Sequence, residues 1–594
     1  MTDHASAALP AFEWKAVVGN PTVALELQRS LGLLLPLANL LAARGHVDPA
    51  AARCFLDPMQ QKLTDPFVLD QLQEAVDRII AAMAVDREIV VFGDFDVDGV
   101  VATALLTDMI AFLGGKVRPF LPDRHKEGYG LTEAAIARCL SAGTPALFIT
   151  VDCGMGATAV LESLHEQGIE LILTDHHTLA GSFPEGCIVV NPHQNGTPES
   201  ACGLCGAGVA FQLACGLVRQ RGDRCEERRR LYAWLDAVSI ATVADVVPLT
   251  GDNRTLVAFG LQSLNRKPRV GLVELMKRSG ISNLTVDSYH LGFILGPRIN
   301  AAGRMETADP ALRLLTTQDP DEARALAIRL DNANAMRKAA EQELLQQAEE
   351  QLTEWFDAAR HGAIVVGGEG WHAGTVGIVA ARLMNQHHRP AAVLALDAEG
   401  GGHGSVRAGH AYNAFDALSG CAAHLERMGG HARAAGFRLK PGAFAAFRET
   451  FAAVCFAQVG AVARKPELIL DGWLTGADID QALINGVRQL EPFGEGHPRP
   501  CWGLSGVTLA KRPHTMGTDG DHLRLDLVLA DGLPLQAVWF RASQFLPLLA
   551  AGTFDVAGEL QENTYGGAST IQLIVRDIRP TTGKSSHVTA IQTG

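Results

Sequence analysis

The first third of the chain alternates short apolar runs with helical stretches, and this alternation constrains the fold more than any other feature. Five runs are rich in β-branched and aromatic residues and are bounded by turn residues, as is typical of buried strands. They cover residues 89–92, 117–121, 147–151, 171–174 and 188–190. The helical stretches between them predict an α/β domain with a mostly parallel sheet covered on both faces.

Polar side chains follow the ends of four of these predicted strands. They are Asp94, Asp96 and Asp98, then Asp152, then Asp175, His176 and His177, and finally Asn191 and His193. A single acid after a strand is often only the N-cap of the next helix. Several carboxylates at one sheet edge would repel one another unless divalent cations neutralise them. We therefore predict a metal cluster at the carboxyl edge of the sheet, where open α/β sheets bind ligands.

The segment GDFDVDG, residues 93–99, also has the spacing of a calcium-binding EF-hand loop. Such a loop beginning at Asp94 requires a glutamate at its twelfth position and a helix before it. The twelfth residue is Leu105, and the residues before the loop are strand-like. The alternative, a metal-binding edge of a phosphoester-cleaving site, is therefore favoured.

The predicted ligands indicate which metal is bound. Carboxylates with one or two imidazoles suit Mg²⁺ or Mn²⁺, and the nitrogen donor favours Mn²⁺. Two such ions clamp the attacking and leaving oxygens of a phosphoester, so the chemistry indicated is phosphoryl transfer to water.

Cys202 and Cys205 have no second pair at zinc-finger spacing, which leaves either a zinc site or a small buried thiol pair.

Composition limits the class of protein. The 594 residues predict roughly three to five domains at ~100–200 residues each. No apolar run approaches the ~18 residues of a membrane helix, and residues 1–15 lack the pattern of an export signal. Eleven cysteines, an odd number, favour reduced thiols, so we expect a cytoplasmic protein that does not bind membranes. The net charge of -14 means that binding to a polyanion requires a local basic groove.

A second α/β domain is predicted after a long helix. Residues 321–361 contain neither glycine nor proline, and Asp319-Pro320 provides a helix start. We interpret this segment as a connector of ~60 Å, although a helical hairpin inside one domain is the alternative. Strand-like residues 363–368 and 391–396 then flank a helix-like stretch at 375–386.

Glycine-rich turns in the second domain carry Ser405, Arg407, Gly430 and His431. Free backbone amides and a guanidinium form a good phosphate-binding nest, although such turns are often only tight loops.

After residue 466, six short strand-like runs separated by turns predict an antiparallel β-barrel. Its cations and aromatics fit an OB-fold that binds single strands, or a barrel that only braces the other domains. These residues are Lys511, Arg512, His514, Arg524, Trp539, Phe540 and Arg541.

Several segments together carry a family resemblance. GDFDVDG, VDCG, TDHH and ATVADVVPL (residues 241–249) resemble the ordered motifs of the DHH phosphoesterase superfamily. Five further segments are similar to the RecJ family of bacterial single-stranded-DNA-specific exonucleases, namely RHKEGYGL (124–131), LGPRINAAGRM (295–305), GWHAGTVGIVAARL (370–383), GGHARAAGF (429–437) and EPFGEGHPRP (491–500). The resemblance covers about residues 40 to 580. One departure is Ala408 in GHGSVRAG, where members more often have serine.

The resemblance implies roles for individual residues. Asp94, Asp96, Asp98, Asp152, His176 and Asp245 would be the metal-site residues, with Asp152 bridging two ions, and His177 would be a proton donor beside the scissile phosphate. The role of Asp245 depends on the resemblance alone. Arg124, Tyr129, Arg298 and Asn300 would hold backbone phosphates. Ser405, Arg407, Gly430 and His431 would grip a 5′-terminal phosphate.

The resemblance also implies an architecture and an activity. We expect an N-terminal extension (1–45), a DHH catalytic domain (46–318), a connecting helix (319–361), a DHHA1-type domain (362–460), an OB-fold-like domain (466–580) and a disordered tail (581–594). The implied activity is 5′ to 3′ hydrolysis of single-stranded DNA to 5′-mononucleotides in recombination and repair. A single-strand-binding protein and a DNA helicase are the implied partners of a monomer. The alternatives are a DHH phosphodiesterase for short oligonucleotides or cyclic dinucleotides, and an inert scaffold.

Overall fold

The computed structural model describes residues 12–128, 130–178, 183–409, 411–459, 466–517, 519–563, 569–581 and 589–592. The chain forms two compact units. One contains Met1–Gln61, Lys465–Phe493 and His497–Gly594, and the other contains Lys62–Arg464 and Gly494–Gly496. None of the described helices has both the length and the apolar character that crossing a bilayer requires.

The N-terminal segment belongs to the same unit as the C-terminal barrel. Its elements are β1 (Glu13–Val18), α1 (Pro21–Leu31), α2 (Leu35–Ala43) and α3 (Pro49–Leu56). Leu27, Leu40 and Phe55 from these helices pack in one core with Ile484 and Trp502. Residues 46–61 therefore pack with the barrel, whereas the sequence analysis assigned them to the catalytic domain.

The first α/β domain begins at Lys62. Its strands are β2 (Ile89–Gly93), β3 (Val117–Phe120), β4 (Leu147–Val151), β5 (Glu170–Thr174) and β6 (Ile188–Val190). Its helices are α4 (Leu72–Ala84), α5 (Val97–Phe112), α6 (Glu133–Leu140), α7 (Thr158–Glu166), α8 (Gly206–Gln220), α9 (Cys225–Tyr232), α10 (Leu235–Ala244), α11 (Gly251–Arg266), α12 (Val270–Arg278), α13 (Ser288–His290), α14 (Gly296–Met305) and α15 (Asp309–Thr316). A π-helical turn, Leu291–Leu295, joins α13 to α14.

The five strands of the first domain form a parallel sheet in the order β3-β2-β4-β5-β6. Alternate side chains of each strand enter different cores. Val91 and Ile149 pack toward α5 and α8, while Phe92 and Phe148 pack toward α6 and α7. This confirms the predicted parallel sheet with helices on both faces. The prediction was possible because strands that are buried on both faces have continuous apolar sequences.

A long helix, α16 (Pro320–Trp355, 36 residues), follows the first domain. Asp319 caps its first turn, as the sequence predicts, through a hydrogen bond from the amide of Asp321. Leu326 and Leu330 pack in the core of the first domain, whereas Leu352 packs in a core of the second. The connector is thus confirmed over the helical hairpin. It ends before the predicted residue 361 because side-chain-capped turns at Asp357 replace the helical hydrogen bonds.

The second α/β domain contains a mixed sheet in the order β10-β11-β9-β8-β7. Its elements are β7 (Ile364–Glu369), α17 (Val376–His387), β8 (Ala391–Leu396), β9 (Gly402–Arg407), α18 (Ala414–Ser419), β10 (Leu425–Gly430), β11 (Ala434–Leu439) and α19 (Phe444–Val459). Strands β7 and β8 are parallel and α17 connects them, which confirms the predicted strand–helix–strand unit. The remaining pairs are antiparallel.

The C-terminal domain contains a small seven-stranded barrel, and its first and last strands form a separate three-stranded sheet with β1. Its elements are β12 (Glu467–Leu470), β13 (Gly472–Leu474), α20 (Gln481–Gln489), β14 (Trp502–Leu509), β15 (His514–Met516), β16 (His522–Val528), β17 (Pro534–Trp539), β18 (Phe554–Asn563), β19 (Thr570–Pro580) and β20 (Thr589–Gln592). Pairing between β14 and β16 closes the mostly antiparallel sheet. A closed barrel of this kind confirms the predicted OB-like architecture.

Two details of the C-terminal region differ from the sequence analysis. Trp539 is 5% exposed and stacks on Phe545 inside the barrel, so it cannot stack on a base, whereas Phe540 is exposed. Residues 589–592, in the segment predicted to be a disordered tail, form β20 and pair in parallel with β1. Strand β1 also pairs with β12, and no local sequence signal indicates partners this distant.

Candidate metal centre

The carboxyl ends of four parallel strands lie in register, and a polar residue directly follows each end. The aligned strand ends are Gly93, Val151, Thr174 and Val190. The residues that come next are Asp94, Asp152, Asp175 and Asn191. Strand register alone therefore collects three carboxylates and an amide at one edge of the sheet, as the sequence predicts.

Backbone amides hold the carboxylates of the turn between β2 and α5. Asp96 caps α5, because its Oδ1 accepts hydrogen bonds from the amides of Asp98 (3.0 Å) and Gly99 (3.2 Å). Asp98 is buried and accepts from the amides of the first two residues of α8, at 2.6 and 2.9 Å. Gly99 is required because a Cβ atom there would lie 2.5 Å from the amide nitrogen of Asp94. The turn thus presents three acids in a fixed arrangement.

Asp152, which directly follows β4, is 2% exposed and has a left-handed backbone with a φ of 60°. Residues other than glycine rarely adopt this conformation, and it persists only where neighbours impose it. The amide of Asp152 donates to the carbonyl of Thr174 at 2.9 Å. The start of α8 also lies against it, since a Cβ atom on Gly206 would be 2.6 Å from the Cβ of Asp152. The strained backbone therefore aims this carboxylate into the cluster.

His176 brings three carboxylates together. Its Nε2 lies 3.2 Å from Oδ1 of Asp152, 3.5 Å from Oδ2 of Asp245 and 3.8 Å from Oδ2 of Asp98. Asp245 caps the carboxyl end of α10, a helix that no strand pattern connects with the sheet edge. This explains why residue patterns alone could not identify Asp245, whereas the family motif could.

Asp175 orients the neighbouring His177. One of its oxygens, Oδ1, accepts hydrogen bonds from the amides of His176 and His177 and lies 2.7 Å from Nδ1 of His177. Although burial opposes the shift, the hydrogen bonds from His177 lower the pKa of Asp175, so it remains an acceptor. Conversely, despite burial, the hydrogen bond with Asp175 raises the pKa of His177. This organising role of Asp175 was absent from the predicted site.

The cluster is electrostatically incomplete without cations. Burial and the neighbouring carboxylates raise the pKa of Asp94 to about 8 and the pKa of Asp245 to about 9. The same causes raise the pKa of Asp98, and they raise the pKa of Asp152 well above its usual value. Buried atoms without a hydrogen-bond partner point into the cluster, namely Oδ1 of Asp152, Nε2 of His176 and Oδ2 of Asp245. Buried polar atoms are normally satisfied, so this arrangement fits bound metal ions.

The described residues contain three overlapping groups whose potential ligand atoms lie within 4.8 Å of one another. They are Asp94 with Asp96 and Asp152, Asp98 with His176 and Asp245, and Asp152 with His176 and His177. Asp152 belongs to two of these groups. It also lies next to the group of Asp98, His176 and Asp245, because its Oδ1 is 3.2 Å from Nε2 of His176. Oxygen donors with one or two imidazoles and no thiolate are the ligands that suit Mg²⁺ and Mn²⁺.

A cleft of about 900 Å³ lies beside the acidic cluster, between the two α/β domains. Its lining includes Asp175 and His177 from the first domain and residues of β9, β10 and β11 from the second. Ser405 and Arg407 thus lie on a strand, β9, and not in a turn as the glycine-rich sequence predicts. Five of the residues predicted to contact phosphate line it, namely Arg124, Ser405, Arg407, Gly430 and His431. The cleft therefore joins the predicted metal site to the predicted phosphate nest.

Arg407 is held by its own strand. Its Nη1 donates to Oγ of Ser405 at 2.9 Å and to the carbonyl of Val406 at 3.0 Å. Burial and the nearby cation of Arg124 lower the pKa of Arg407. Gly430 has a φ of 133°, and a Cβ atom there would lie 2.5 Å from the carbonyl oxygen of Ala434. The turn thus requires glycine, and the crowded cations favour an anionic ligand.

Two predicted phosphate contacts make other interactions. Arg298 donates through Nε to Oδ1 of Asp331 at 3.0 Å, and Asn300 accepts a hydrogen bond from the amide of Val97 at 2.8 Å. Neither residue is in the described lining of the cleft. Asn300 thus holds the acidic turn in place from a position outside the described cleft lining. Tyr129, the remaining predicted contact, lies outside the described residues.

Arg304, which is not among the residues predicted from the sequence, also lines the cleft. Burial and the charge of Arg124 lower the pKa of Arg304 to about 10. A single arginine at a helix end gives no signal of its own, although it lies inside the LGPRINAAGRM segment.

The cysteine alternative is also resolved for the described residues. Cys202 and Cys205 are free thiols outside the candidate ligand groups, and Cys205 is buried.

Comparisons with known proteins agree with this geometry. Three family models match the chain: the DHH family N-terminal domain over residues 88–242, the DHHA1 domain over residues 361–455 and the RecJ OB domain over residues 470–577. Each match falls within a different domain: the first α/β domain, the second α/β domain and the C-terminal domain.

Curated relatives match over most of the chain. The single-stranded-DNA-specific exonuclease RecJ of Dickeya dadantii is 32% identical, over 94% of this chain and 98% of that protein. The proteins of the same name from Bacillus subtilis and Thermus thermophilus are 33% and 36% identical, over 91% and 86% of this chain and 67% and 71% of theirs.

Solved structures give the same result. The crystal structure of RecJ in complex with Mn²⁺ from Thermus thermophilus superposes with a TM-score of 0.81 at 30% identity, covering 96% of this chain and 80% of that one. Its Mg²⁺ complex gives a TM-score of 0.76 at 29% identity, covering 96% and 79%. The chain therefore belongs to the RecJ family of single-stranded-DNA-specific exonucleases.

Proposed function

We propose that this protein degrades single-stranded DNA from its 5′ end to 5′-mononucleotides, with two Mn²⁺ or Mg²⁺ ions. The observation that carries the proposal is the junction of two sites. A buried acid–imidazole cluster that lacks counter-charge adjoins a cleft whose other wall carries arginine and glycine-rich turns. Membership of the RecJ family supplies the substrate class.

Asp94, Asp96, Asp98, Asp152, His176 and Asp245 would hold the two ions, and Asp152 would contact both. When bound, the ions would activate water and neutralise the charge that develops on the phosphate. The chain contributes a fixed frame for these ligands. Backbone amides of α8 hold Asp98, and strained backbone aims Asp152, so little reorganisation is needed when substrate arrives.

His177 would act as the proton donor. Because Asp175 is an acceptor, Nδ1 of His177 carries the proton of their hydrogen bond, which leaves Nε2 for the cleft. The pKa of His177 is raised, so the imidazolium persists to a higher pH than that of a free histidine. A protonated Nε2 would donate to a phosphate oxygen or to the leaving oxygen.

The phosphate nest would determine the end of the strand from which degradation begins. Arg407, held by Ser405, would pair with the 5′-terminal phosphate, and the turn at Gly430 and His431 would offer backbone donors. Arg124 and Arg304 would hold the next phosphate beside the metal site. A terminal phosphate carries more negative charge than an internal one, so a nest with crowded cations selects strand ends.

We further propose that the protein is a cytoplasmic monomer that acts in DNA recombination and repair. A single-strand-binding protein and a DNA helicase would supply its substrate, since both produce or hold unpaired strands. Light scattering of the purified protein with and without a single-stranded oligonucleotide tests the monomer directly. A stable dimer under both conditions would contradict it.

One digestion experiment tests the central proposal. Strands labelled at the 5′ or the 3′ end are incubated with Mn²⁺ or Mg²⁺, and products are sized. We expect the 5′ label to appear at once as a mononucleotide, and the 3′ label to shorten progressively. The Asp152→Asn variant should lose at least about a hundredfold in rate, with Asp65→Asn, an exposed carboxylate, as the matched control. Release of the 3′ label first, or normal activity of Asp152→Asn, would overturn the proposal.

A further inference from the structure

Two exposed aromatic rings lie near the acidic cluster, outside the described lining of the cleft. Tyr289 and Phe293 are 58% and 69% exposed, and their rings stack with centroids 5.0 Å apart and planes 24° apart. Stacking on each other covers only one face of each ring. A large exposed aromatic pair on a folded surface is unusual unless something binds there.

The backbone below the two rings is anchored in the core of the first domain. It is the π-helical turn Leu291–Leu295, and such turns occur frequently at functional sites. Leu291 and Leu295 are fully buried, and the side chain and amide of His290 make a capping box with Asp287. A fixed backbone presents the rings without the entropy cost of ordering a loop.

The same turn packs against the helix end that carries Asp245. A Cβ atom on Gly292 would lie 3.3 Å from Cγ1 of Val243, and one on Gly296 would lie 2.9 Å from the Cβ of Ala244. Val246, on the other side of Asp245, is 62% exposed. The aromatic pair and Val246 therefore flank the last residues of α10, next to the metal centre.

The position of the pair along the chain gives its approximate separation, along the helix, from the residue that holds the acidic turn. Asn300, seven residues beyond Phe293, accepts a hydrogen bond from the acidic turn at Val97. At about 1.5 Å per residue the helix separates these points by roughly 10 Å. That is about three nucleotides at the ~3.4 Å spacing of one duplex strand, and fewer if the strand is stretched.

We propose that Tyr289 and Phe293 form a stacking platform for bases of the substrate strand, a few nucleotides 3′ of the scissile bond. The inference rests on the proposed function, in which the 5′ end occupies the cleft. His177 lines the cleft, His176 lies 3.5 Å from Asp245, and the aromatic turn packs against the residues just before Asp245, so the pair is placed to contact a strand that extends from the cleft past the metal centre. Aromatic rings stack on any base, which suits a nuclease without sequence preference.

Kinetics on substrates of two lengths test the platform. The Tyr289→Ala/Phe293→Ala variant is compared with the unaltered protein on a dinucleotide, which is too short to reach the rings, and on a strand of about 12 nucleotides. We expect the KM for the long strand to rise roughly 5- to 100-fold and the KM for the dinucleotide to stay constant. The kcat should stay constant on both.

Conservative variants separate stacking from general hydrophobic contact. Phe293→Trp should keep the KM of the long strand, whereas Phe293→Leu should raise it. Tyr232→Ala, a 50% exposed aromatic elsewhere in the first domain, is the matched control and should have no effect. An unchanged KM in the double variant, or equal losses on both substrates, would overturn the platform. If the unaltered protein instead degrades strands from the 3′ end, the proposed function has failed.

Discussion

Nε2 of His176 lies 3.2 Å from Oδ1 of Asp152, yet neither atom has a hydrogen-bond partner in the described structure. Both atoms are buried, and an unsatisfied buried polar atom costs about 1–3 kcal/mol. Two such atoms facing the same point, with Oδ2 of Asp245 also unsatisfied, indicate a shared ligand. Two cations bound by the cluster would satisfy all three atoms.

The first prediction concerns stability and pH. Burial raises the pKa of Asp94 to about 8 and of Asp245 to about 9, whereas unfolded aspartates titrate near 4. The metal-free folded state therefore binds more protons than the unfolded state, and its stability falls as the pH rises from about 4 to about 9. Mg²⁺ competes with these protons, so the rise in Tm on adding Mg²⁺ should be larger at pH 8.5 than at pH 6.

Thermal unfolding in EDTA and in Mg²⁺, at both pH values, measures this effect. Asp152→Asn should abolish most of the rise in Tm, and Asp65→Asn should retain it. An equal shift of Tm at the two pH values would mean that the buried acids are not the groups that bind the ion.

The second prediction concerns Arg407. Arg407→Ala removes the guanidinium of the phosphate nest, so the KM for a 5′-phosphorylated strand should rise roughly 10- to 100-fold. The KM for a 5′-hydroxyl strand should change much less. Lys440→Ala, an exposed cation of the same domain that donates to the carbonyl of Ala423, is the control and should affect neither. Equal losses with both ends would remove the end-recognition role of Arg407.

The third prediction concerns His177 and its partner. If the imidazolium donates a proton, activity should fall at alkaline pH as His177 deprotonates. Asp175→Asn removes the negative charge beside His177 that helps to raise the pKa of His177, so the alkaline limb of the pH–rate profile should move to lower pH. His177→Gln should lose about 10²- to 10⁴-fold in kcat. An unmoved alkaline limb in Asp175→Asn would assign the titration to another group.

The fourth prediction separates two roles for Asn300. Its Oδ1 accepts a hydrogen bond from the amide of Val97 in the acidic turn, so Asn300→Leu should weaken Mn²⁺ binding about 10- to 100-fold. A contact with DNA phosphate, as predicted from the family motif, would instead raise the KM for DNA at saturating Mn²⁺. Metal titrations followed by kinetics at saturation distinguish these results.

The sequence predicted those parts of the fold that carry local signals. The five sheet strands and α17 have continuous or periodic apolar patterns, and the acids after the strands are brought together by register alone. Strand β1 pairs with Glu467 and its neighbours, about 450 residues away, and no local pattern encodes such a partner. Asp245 and Arg304 lie at helix ends, where a charged residue is ordinary, so only the family motif or the structure could identify them.

The most direct test of the metal centre is anomalous diffraction from crystals grown with Mn²⁺. We expect two peaks, one beside Asp94, Asp96 and Asp152 and the other beside Asp98, Asp152, His176 and Asp245. Asp152 should contact both ions. A single peak that does not involve Asp152, or Mn²⁺ bound only elsewhere in the chain, would contradict the account.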